Sequence, residues 1–134
     1  MAPRYLVDTN LWIYAAAKDS VAISFFDLMN EADWTGYSSI TKIEVLGYPG
    51  LKGNEEHSLR SFMGCFNEVP VTPDIVEQAI TLRQGHKMRI PDAIIAGSAL
   101  VMKAVLVTRN SDDFKGIAKL QVINPYEKHP RPAT

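Results

Sequence analysis

Short segments of strand character alternate with segments of helical periodicity along the chain. Five segments predict β-strands, at residues 5–7, 35–38, 68–71, 104–107 and 121–123. Between them, apolar residues that recur every three or four positions predict helices over residues 11–16, 22–32, 39–46, 55–66, 74–84 and 93–102. Asp19 is expected to cap the second of these helices, and Pro73 and Pro91 are typical of first helical turns.

This alternation predicts an α/β fold in which helices cover both faces of a parallel sheet. Residues 104–107 form the most hydrophobic strand and are expected at the centre of the sheet, whereas Pro70 predicts an edge position for residues 68–71. Functional sites in such folds lie at the carboxyl ends of the strands. Asp8 and Thr108 each directly follow a predicted strand, which places them at that edge.

Length and composition describe an ordinary globular domain. With 134 residues, the chain can bury a core without disulfides, and the single cysteine, Cys65, is expected to be a small core residue because its neighbours are apolar. A net charge of −1 does not indicate a general nucleic-acid-binding surface. The first residues lack the apolar segment of a signal peptide and no run is long enough to span a bilayer, so the expected location is cytoplasmic.

Acidic residues stand at the predicted ends of elements rather than on solvated helix faces: Asp8, Glu44, Asp92 and the pair Asp112–Asp113. Each has a purely structural interpretation. Asp8 would cap the following helix, Glu44 would close a capping box with Thr41, and Asp92 would favour a helix dipole. The Asp112–Asp113 pair would start a short helix.

The joint pattern favours a metal site. Apolar residues surround each of Asp8, Glu44 and Asp92, and ionised groups rarely enter such surroundings without compensation. Converging carboxylates would repel one another, and a divalent cation would resolve that conflict. Oxygen ligands select Mg²⁺ or Mn²⁺, which suit phosphodiester hydrolysis with one or two bound ions.

Several motifs together resemble those of PIN-domain ribonucleases, most closely the VapC toxins of type II toxin–antitoxin modules. The motifs are LVDTN at residues 6–10, SSITKIE at 38–44, IPDAIIA at 90–96, LVTRNSDDF at 106–114 and the closing strand VINPY at 122–126. They follow the order and spacing of the family, and the resemblance covers residues 5–126. It implies a PIN domain over residues 1–126 and a C-terminal tail over 127–134.

The resemblance further implies a PIN-like three-layer α/β/α fold with a central parallel sheet, Mg²⁺ dependence with Mn²⁺ as a substitute, and endonucleolytic cleavage of RNA. It also implies a VapB-type antitoxin as partner, a homodimer and no membrane association. Metal-binding and catalytic roles fall on Asp8, Glu44 and Asp92. Asp113 ranks first as the fourth acid, with Asn110 and Asp112 as the alternatives. Thr9 and Thr108 are expected to orient carboxylates or water.

Other residues have weaker functional interpretations. Arg83, His86, Lys87 and Arg89 either guide an RNA backbone by phosphate contacts or form a solvated helix end. His57, His86 and His129 lack the mutual spacing of metal ligands. Trp12 and Trp34 are expected in core or dimer packing rather than base stacking. Apolar antitoxin contacts are expected on the helices of residues 10–16 and 39–66.

Two alternatives stay open. A haloacid-dehalogenase-like phosphatase would explain Asp8, but such enzymes need a second aspartate two residues later, where this chain has Asn10. A degenerate PIN domain would bind RNA or a protein without cleaving it. Retention of Asp8, Glu44 and Asp92 argues against that second alternative.

Overall fold

The computed structural model describes residues 3–29 and 32–127. The predicted tail lies almost wholly outside these residues, so its boundary stays a prediction. Among the described residues, the strands are β1 (Arg4–Val7), β2 (Trp34–Ser38), β3 (Asn67–Val69), β4 (Val105–Val107) and β5 (Val122–Ile123). The helices are α1 (Thr9–Ala16), α2 (Ser20–Met29), α3 (Ser39–Leu46), α4 (Gly53–Met63), α5 (Pro73–Gly85) and α6 (Ile90–Met102), with a short 3-10 helix at Ser111–Phe114.

All pairs in the five-stranded sheet are parallel, and the strand order is β3-β2-β1-β4-β5. The predicted α/β class with a central parallel sheet is confirmed, and β3 is an edge strand as Pro70 indicated. The middle strand is β1 rather than β4, which lies beside it. The strong hydrophobicity of β4 correctly indicated an interior strand. Hydrophobicity alone does not show which of two interior strands lies at the centre of the sheet. β2 and β3 lie on one side of β1, whereas β4 and β5 lie on the other. The carboxyl ends of β1 and β4 therefore form the switch point of the sheet.

Helices cover both faces of the sheet because alternate strand residues point in opposite directions. On one face, Leu6 and Leu106 pack against Ile75 of α5 and Ile95 of α6. On the other face, a second core lies beneath α1 to α4 and includes Val7, Val107 and the buried aromatic side chains. Within residues 3–29 and 32–127, no helix combines the length and apolar character needed to cross a membrane.

Trp12 is the centre of the second core. Its ring has centroid distances of 4.7 Å to Phe26, 5.3 Å to Tyr37 and 5.4 Å to Phe62. Its indole N–H donates to the carbonyl of Val7 at 3.2 Å, so the one polar atom of the ring is also satisfied. The core role expected for Trp12 is confirmed.

Two expectations about the end of α4 are wrong. The predicted helix ran to Phe66, but α4 ends at Met63 and Phe66 reaches the Trp12 ring from the following turn, at 5.3 Å. Cys65 is exposed rather than buried, and its thiol faces the carbonyl of Ser61 at 3.6 Å. Its apolar neighbours fill the core while the turn carries Cys65 outward.

Candidate active site

Asp8 and Thr108 meet at the carboxyl ends of β1 and β4. The parallel register pairs Val7 with Val107, and the Asp8 N–H continues the ladder by donating to the Val107 carbonyl at 2.8 Å. The Thr108 hydroxyl donates to Asp8 Oδ2 at 2.8 Å, and the Asn10 amide donates to the same oxygen at 3.3 Å. Oδ1 accepts from the Thr9 N–H at 2.7 Å, so Asp8 caps α1 but also faces the site.

The environment of Asp8 disfavours its charge. The side chain belongs to a residue only 6% exposed, and this burial is the main cause that raises the pKa of Asp8 from 3.8 to about 6. Bonds from Thr108 and Thr9 partly offset the rise, while the negative charges of Asp92 and Glu44 add to it. Asp8 is thus the kind of carboxylate that a cation would stabilise.

Glu44 reaches the site from α3, the helix that follows β2. Ser38 caps this helix by accepting from the Ile40 N–H at 3.1 Å, so Thr41 is already inside it. Glu44 accepts a 2.7 Å bond from the Thr9 hydroxyl, and the buried Thr41 hydroxyl lies 3.0 Å from the same Thr9 oxygen. The capping-box interpretation of Glu44 is wrong, because Ser38 rather than Thr41 begins the helix.

Asp92 lies in the first turn of α6, behind Pro91. Burial is the main cause that raises the pKa of Asp92, and the charges of Asp113 and Glu44 raise it further. Arg89 opposes the rise, with its Nε 3.5 Å from Asp92 Oδ2. The four predicted acids therefore act on one another: Glu44 and Asp92 on Asp8, and Asp113 and Glu44 on Asp92.

The three candidates for the fourth acid differ in what they contact. Asp113, in the 3-10 helix, is the one whose charge acts on Asp92. Asp112 instead pairs with Lys115 at 2.9 Å, with its side chain 81% exposed. Asn110 uses its backbone N–H, which donates to the Thr108 hydroxyl at 3.0 Å. These contacts favour Asp113, which stays a prediction.

No three His, Cys, Asp or Glu side chains of residues 3–29 and 32–127 are already grouped closely enough to hold a metal ion. The chemistry of the donors nevertheless fits one. The acids supply hard oxygen ligands, and their mutual repulsion is the strain that a divalent cation relieves. His57 is exposed on α4, and His129 lies outside the described residues.

A cleft of about 760 Å³ lies next to Asp92 and Asp113 and has a basic rim. The rim is formed by His86, Lys87, Arg89 and Lys115. Arg83, the remaining member of the predicted basic group, points elsewhere: its Nε donates to the Met88 carbonyl at 3.1 Å, and it lines a groove between α5 and α6.

Sequence reasoning overlooked two parts of the site. Asn10 was considered only as an absent aspartate, yet its amide donates to Asp8 and its Oδ1 accepts from the Arg109 N–H at 3.2 Å. Its place two residues after Asp8 was the available signal, and its occupation of this position argues against the phosphatase alternative. The second part is a pair of aromatic side chains that contact Arg109. No pattern in the neighbouring sequence predicts this pair.

Comparison with known protein families shows to which family the chain belongs. The PIN domain family matches residues 5–120. The chain belongs to the PIN domain family. PIN domains are generally nucleases that use divalent metal ions, which agrees with the acidic edge of this sheet. Curated proteins give no match to this PIN domain.

Several solved structures similar to this PIN domain come from toxin–antitoxin complexes. One from Klebsiella pneumoniae has 34% identity and a TM-score of 0.79, covering 92% of this chain and 98% of that chain. VapBC-1 from nontypeable Haemophilus influenzae has 25% identity and a TM-score of 0.76, with coverage of 92% and 98%. VapBC2 from Rickettsia felis, bound to a promoter DNA fragment, shares the fold at 24% identity and a TM-score of 0.79, with coverage of 90% and 97%. The resemblance to VapC-type toxins is confirmed.

Proposed function

We propose that this PIN domain is a metal-dependent endoribonuclease and the toxin component of a VapBC-type system. The observation that carries the proposal is Asp8, a buried carboxylate at the switch point of the sheet whose pKa is raised to about 6. The negative charges of Glu44 and Asp92 act on it. Burial and neighbouring like charges oppose the ionisation of Asp8, and carboxylates perturbed in this way cluster at functional sites.

Asp8, Glu44, Asp92 and Asp113 would hold the ion, Mg²⁺ with Mn²⁺ as a substitute. When bound, the ion supplies an activated water and neutralises charge on the phosphate. The remaining work belongs to side chains of the chain itself. Thr108 and Asn10 fix one oxygen of Asp8, and Thr9 fixes Glu44.

The basic rim of the cleft provides the substrate contacts in this proposal. Lys87 and Arg89 line the same cleft as Asp92 and would contact RNA phosphates. The overall charge of −1 means that such contacts are local. RNA association is therefore expected to weaken as salt is raised.

An antitoxin partner is supported by a groove of about 860 Å³ that is lined by residues of α1, α2, α3 and α4. Apolar side chains in its lining include Ile13, Ile23, Val45, Leu51 and Phe62. The predicted contact helices, 10–16 and 39–66, both contribute, and α2 adds to them. An amphipathic segment that folds on binding would cover this groove.

A homodimer is supported by the exposed apolar side chains of α5 and α6. Val76, Ile80 and Ile90 are all exposed and line one groove with Ile94. Burial of this face against a second copy would remove it from water. Sedimentation of wild type beside Ile80→Asp tests this part of the proposal, since the variant is expected to be monomeric.

The central test is cleavage of a mixed RNA pool by purified, partner-free protein with Mg²⁺, Mn²⁺ or excess EDTA. Asp8→Asn and Asp92→Asn are each expected to lower the rate by about a thousandfold or more, as is EDTA. Asp74→Asn is the matched control, because Asp74 is an exposed acid in the first turn of α5. A DNA pool of the same sequences tests the substrate class.

Cleavage that survives EDTA or both substitutions would contradict the carboxylate mechanism. The binding-only alternative gains its support from the absence of a ready-made metal group in the described residues. It predicts RNA binding without cleavage at any metal concentration. Cleavage by wild type that Asp8→Asn abolishes would exclude it.

A further inference from the structure

Arg109 has an unusual setting for an exposed arginine. It directly follows Thr108, at the carboxyl end of β4. Its guanidinium carbon lies 4.3 Å from the ring centroid of Tyr126 and 4.8 Å from that of Tyr14. The two rings are themselves in contact, with centroids 5.7 Å apart. The guanidinium is therefore held by two aromatic faces, which we call the tyrosine clamp.

Hydrogen bonds fix the tyrosine clamp to the wall of the site. The Tyr126 hydroxyl donates to Asp19 Oδ2 at 2.6 Å, and the Asn124 amide donates to the Arg109 carbonyl at 2.9 Å. The Arg109 N–H donates to Asn10 Oδ1, while the Asn10 amide contacts Asp8. Arg109 is thus coupled through one side chain to the most buried acid of the site.

Both rings contact the guanidinium from one side, because centroids 4.3 and 4.8 Å from its carbon and 5.7 Å from each other cannot lie on opposite faces. Among residues 3–29 and 32–127, no carboxylate lies within ion-pairing distance of Arg109. Bonds from Tyr126 and from the Ala22 N–H to Asp19 Oδ2 lower the pKa of this nearby acid, and the charge of Arg109 lowers it further. Stacking restricts the rotamers of an arginine, so less freedom is lost when its planar fork binds a phosphate.

We propose that Arg109, held by Tyr14 and Tyr126, is a second phosphate-binding position for the RNA strand. It is separate from the basic rim, because the lining of that cleft does not include Arg109. The inference rests on the proposed function and deepens it, since two phosphate contacts in different places orient a strand across the carboxylates. A guanidinium binds phosphate through two parallel N–H bonds.

The test is equilibrium binding of a short fluorescent single-stranded RNA of mixed sequence, measured in EDTA over a range of salt. Arg109→Gln is expected to weaken binding about tenfold and to reduce the salt slope by about 0.7, as expected for one lost phosphate contact. Arg109→Lys keeps the charge but loses the stacked fork, so its affinity is expected between the two. Arg60→Gln is the matched control, because Arg60 is an exposed arginine on α4 that pairs with Glu56.

Tyr126→Phe separates a binding role from a structural one. It removes the hydroxyl bond to Asp19 but keeps the ring and the charge of Arg109, so it should lower the melting temperature and weaken RNA binding less than Arg109→Gln does. A salt slope that Arg109→Gln leaves unchanged would overturn the inference. So would a loss of RNA affinity in Tyr126→Phe and Arg60→Gln as large as that in Arg109→Gln. Failure of wild type to bind or cleave RNA would instead overturn the proposed function.

Discussion

Two regions beside α1 have opposite effects on the stability of the fold. Around Trp12, aromatic rings fill the space and the single indole N–H has a partner. Around Asp8, one turn earlier, a buried carboxylate faces other negative charges, and burial raises its pKa. The first region stabilises the fold, whereas the second opposes it. The comparison teaches that the stability of the domain and the chemistry of its acidic edge are separable, even within one helix.

The largest expected effect on stability comes from the aromatic region. Trp12→Ala leaves a cavity among several rings and is expected to lower the free energy of unfolding by about 3–5 kcal/mol. Urea denaturation measures the change. Ile13→Ala, on the same helix at a residue 46% exposed, is the control and should cost less than about 1 kcal/mol. Equal costs would contradict the central role of Trp12.

The next effect is stabilisation by metal at the acidic edge. Mg²⁺ or Mn²⁺ at a hundredfold excess over its dissociation constant is expected to raise the free energy of unfolding by about 2.7 kcal/mol. Asp8→Asn should lose most of this gain, and EDTA should reverse it in wild type. Thermal denaturation with and without metal measures both. The same gain in wild type and Asp8→Asn would place the ion elsewhere.

A smaller stabilisation, opposite in sign to the effect of Trp12→Ala, is expected when Asp8→Asn removes the buried charge in the absence of metal. A pKa that rises from 3.8 to about 6 for Asp8 corresponds to an upper limit of about 3 kcal/mol against the charged form at pH 7. Asp8→Asn weakens the bonds from Thr108 and Thr9, so the net expected stabilisation is about 1–2 kcal/mol. Urea denaturation at pH 7 in EDTA measures it.

The pH dependence of stability follows from the raised pKa of Asp8. Between pH 3.8 and about 6, folded Asp8 keeps a proton that the unfolded chain has lost, so metal-free stability falls as pH rises through this window. Asp92 contributes in the same direction because its pKa is also raised. Asp8→Asn should flatten the profile. A wild-type profile already as flat as that of the variant would contradict the charged, buried state of Asp8.

The smallest effect separates the two neighbouring acids of the 3-10 helix. Asp113→Asn removes a negative charge that acts on Asp92 and is expected to lower the pKa of Asp92, as followed by carboxyl-carbon NMR. Cleavage is expected to fall about tenfold or more. Asp112→Asn is the control, since Asp112 pairs with Lys115. A larger loss of cleavage in Asp112→Asn would transfer the fourth position to Asp112.

The fold was largely predictable because its elements have strong local signals. The helix at residues 39–46 has the predicted bounds, and Asp19 accepts from the Ala22 N–H as an N-terminal cap should. Errors arose where tertiary packing decided the outcome. Phe66 packs against the same core as α4 although it lies beyond the end of that helix, and Cys65 is exposed in the turn between them.

The candidate site was predictable only in part. The rule for carboxyl ends of parallel strands led from the residues alone to Asp8 and Thr108, which bond to each other. The local pattern of Glu44 suggested a capping box, so its place in the site followed only from the joint pattern of acids and from the family resemblance. The tyrosine clamp had no signal, because Tyr14 and Tyr126 are distant in sequence and meet only through the completed fold.

The pairing of the first strand with the fourth has a consequence for synthesis of the protein. The bond from Thr108 to Asp8 joins residues 100 positions apart, and Asp113 lies later still. A nascent chain on the ribosome therefore holds Asp8 and Glu44 long before β4 emerges to complete the edge. Long-range pairing of this kind forms late in folding. The acidic edge is thus unformed during most of translation and is assembled only when nearly the whole domain has been made.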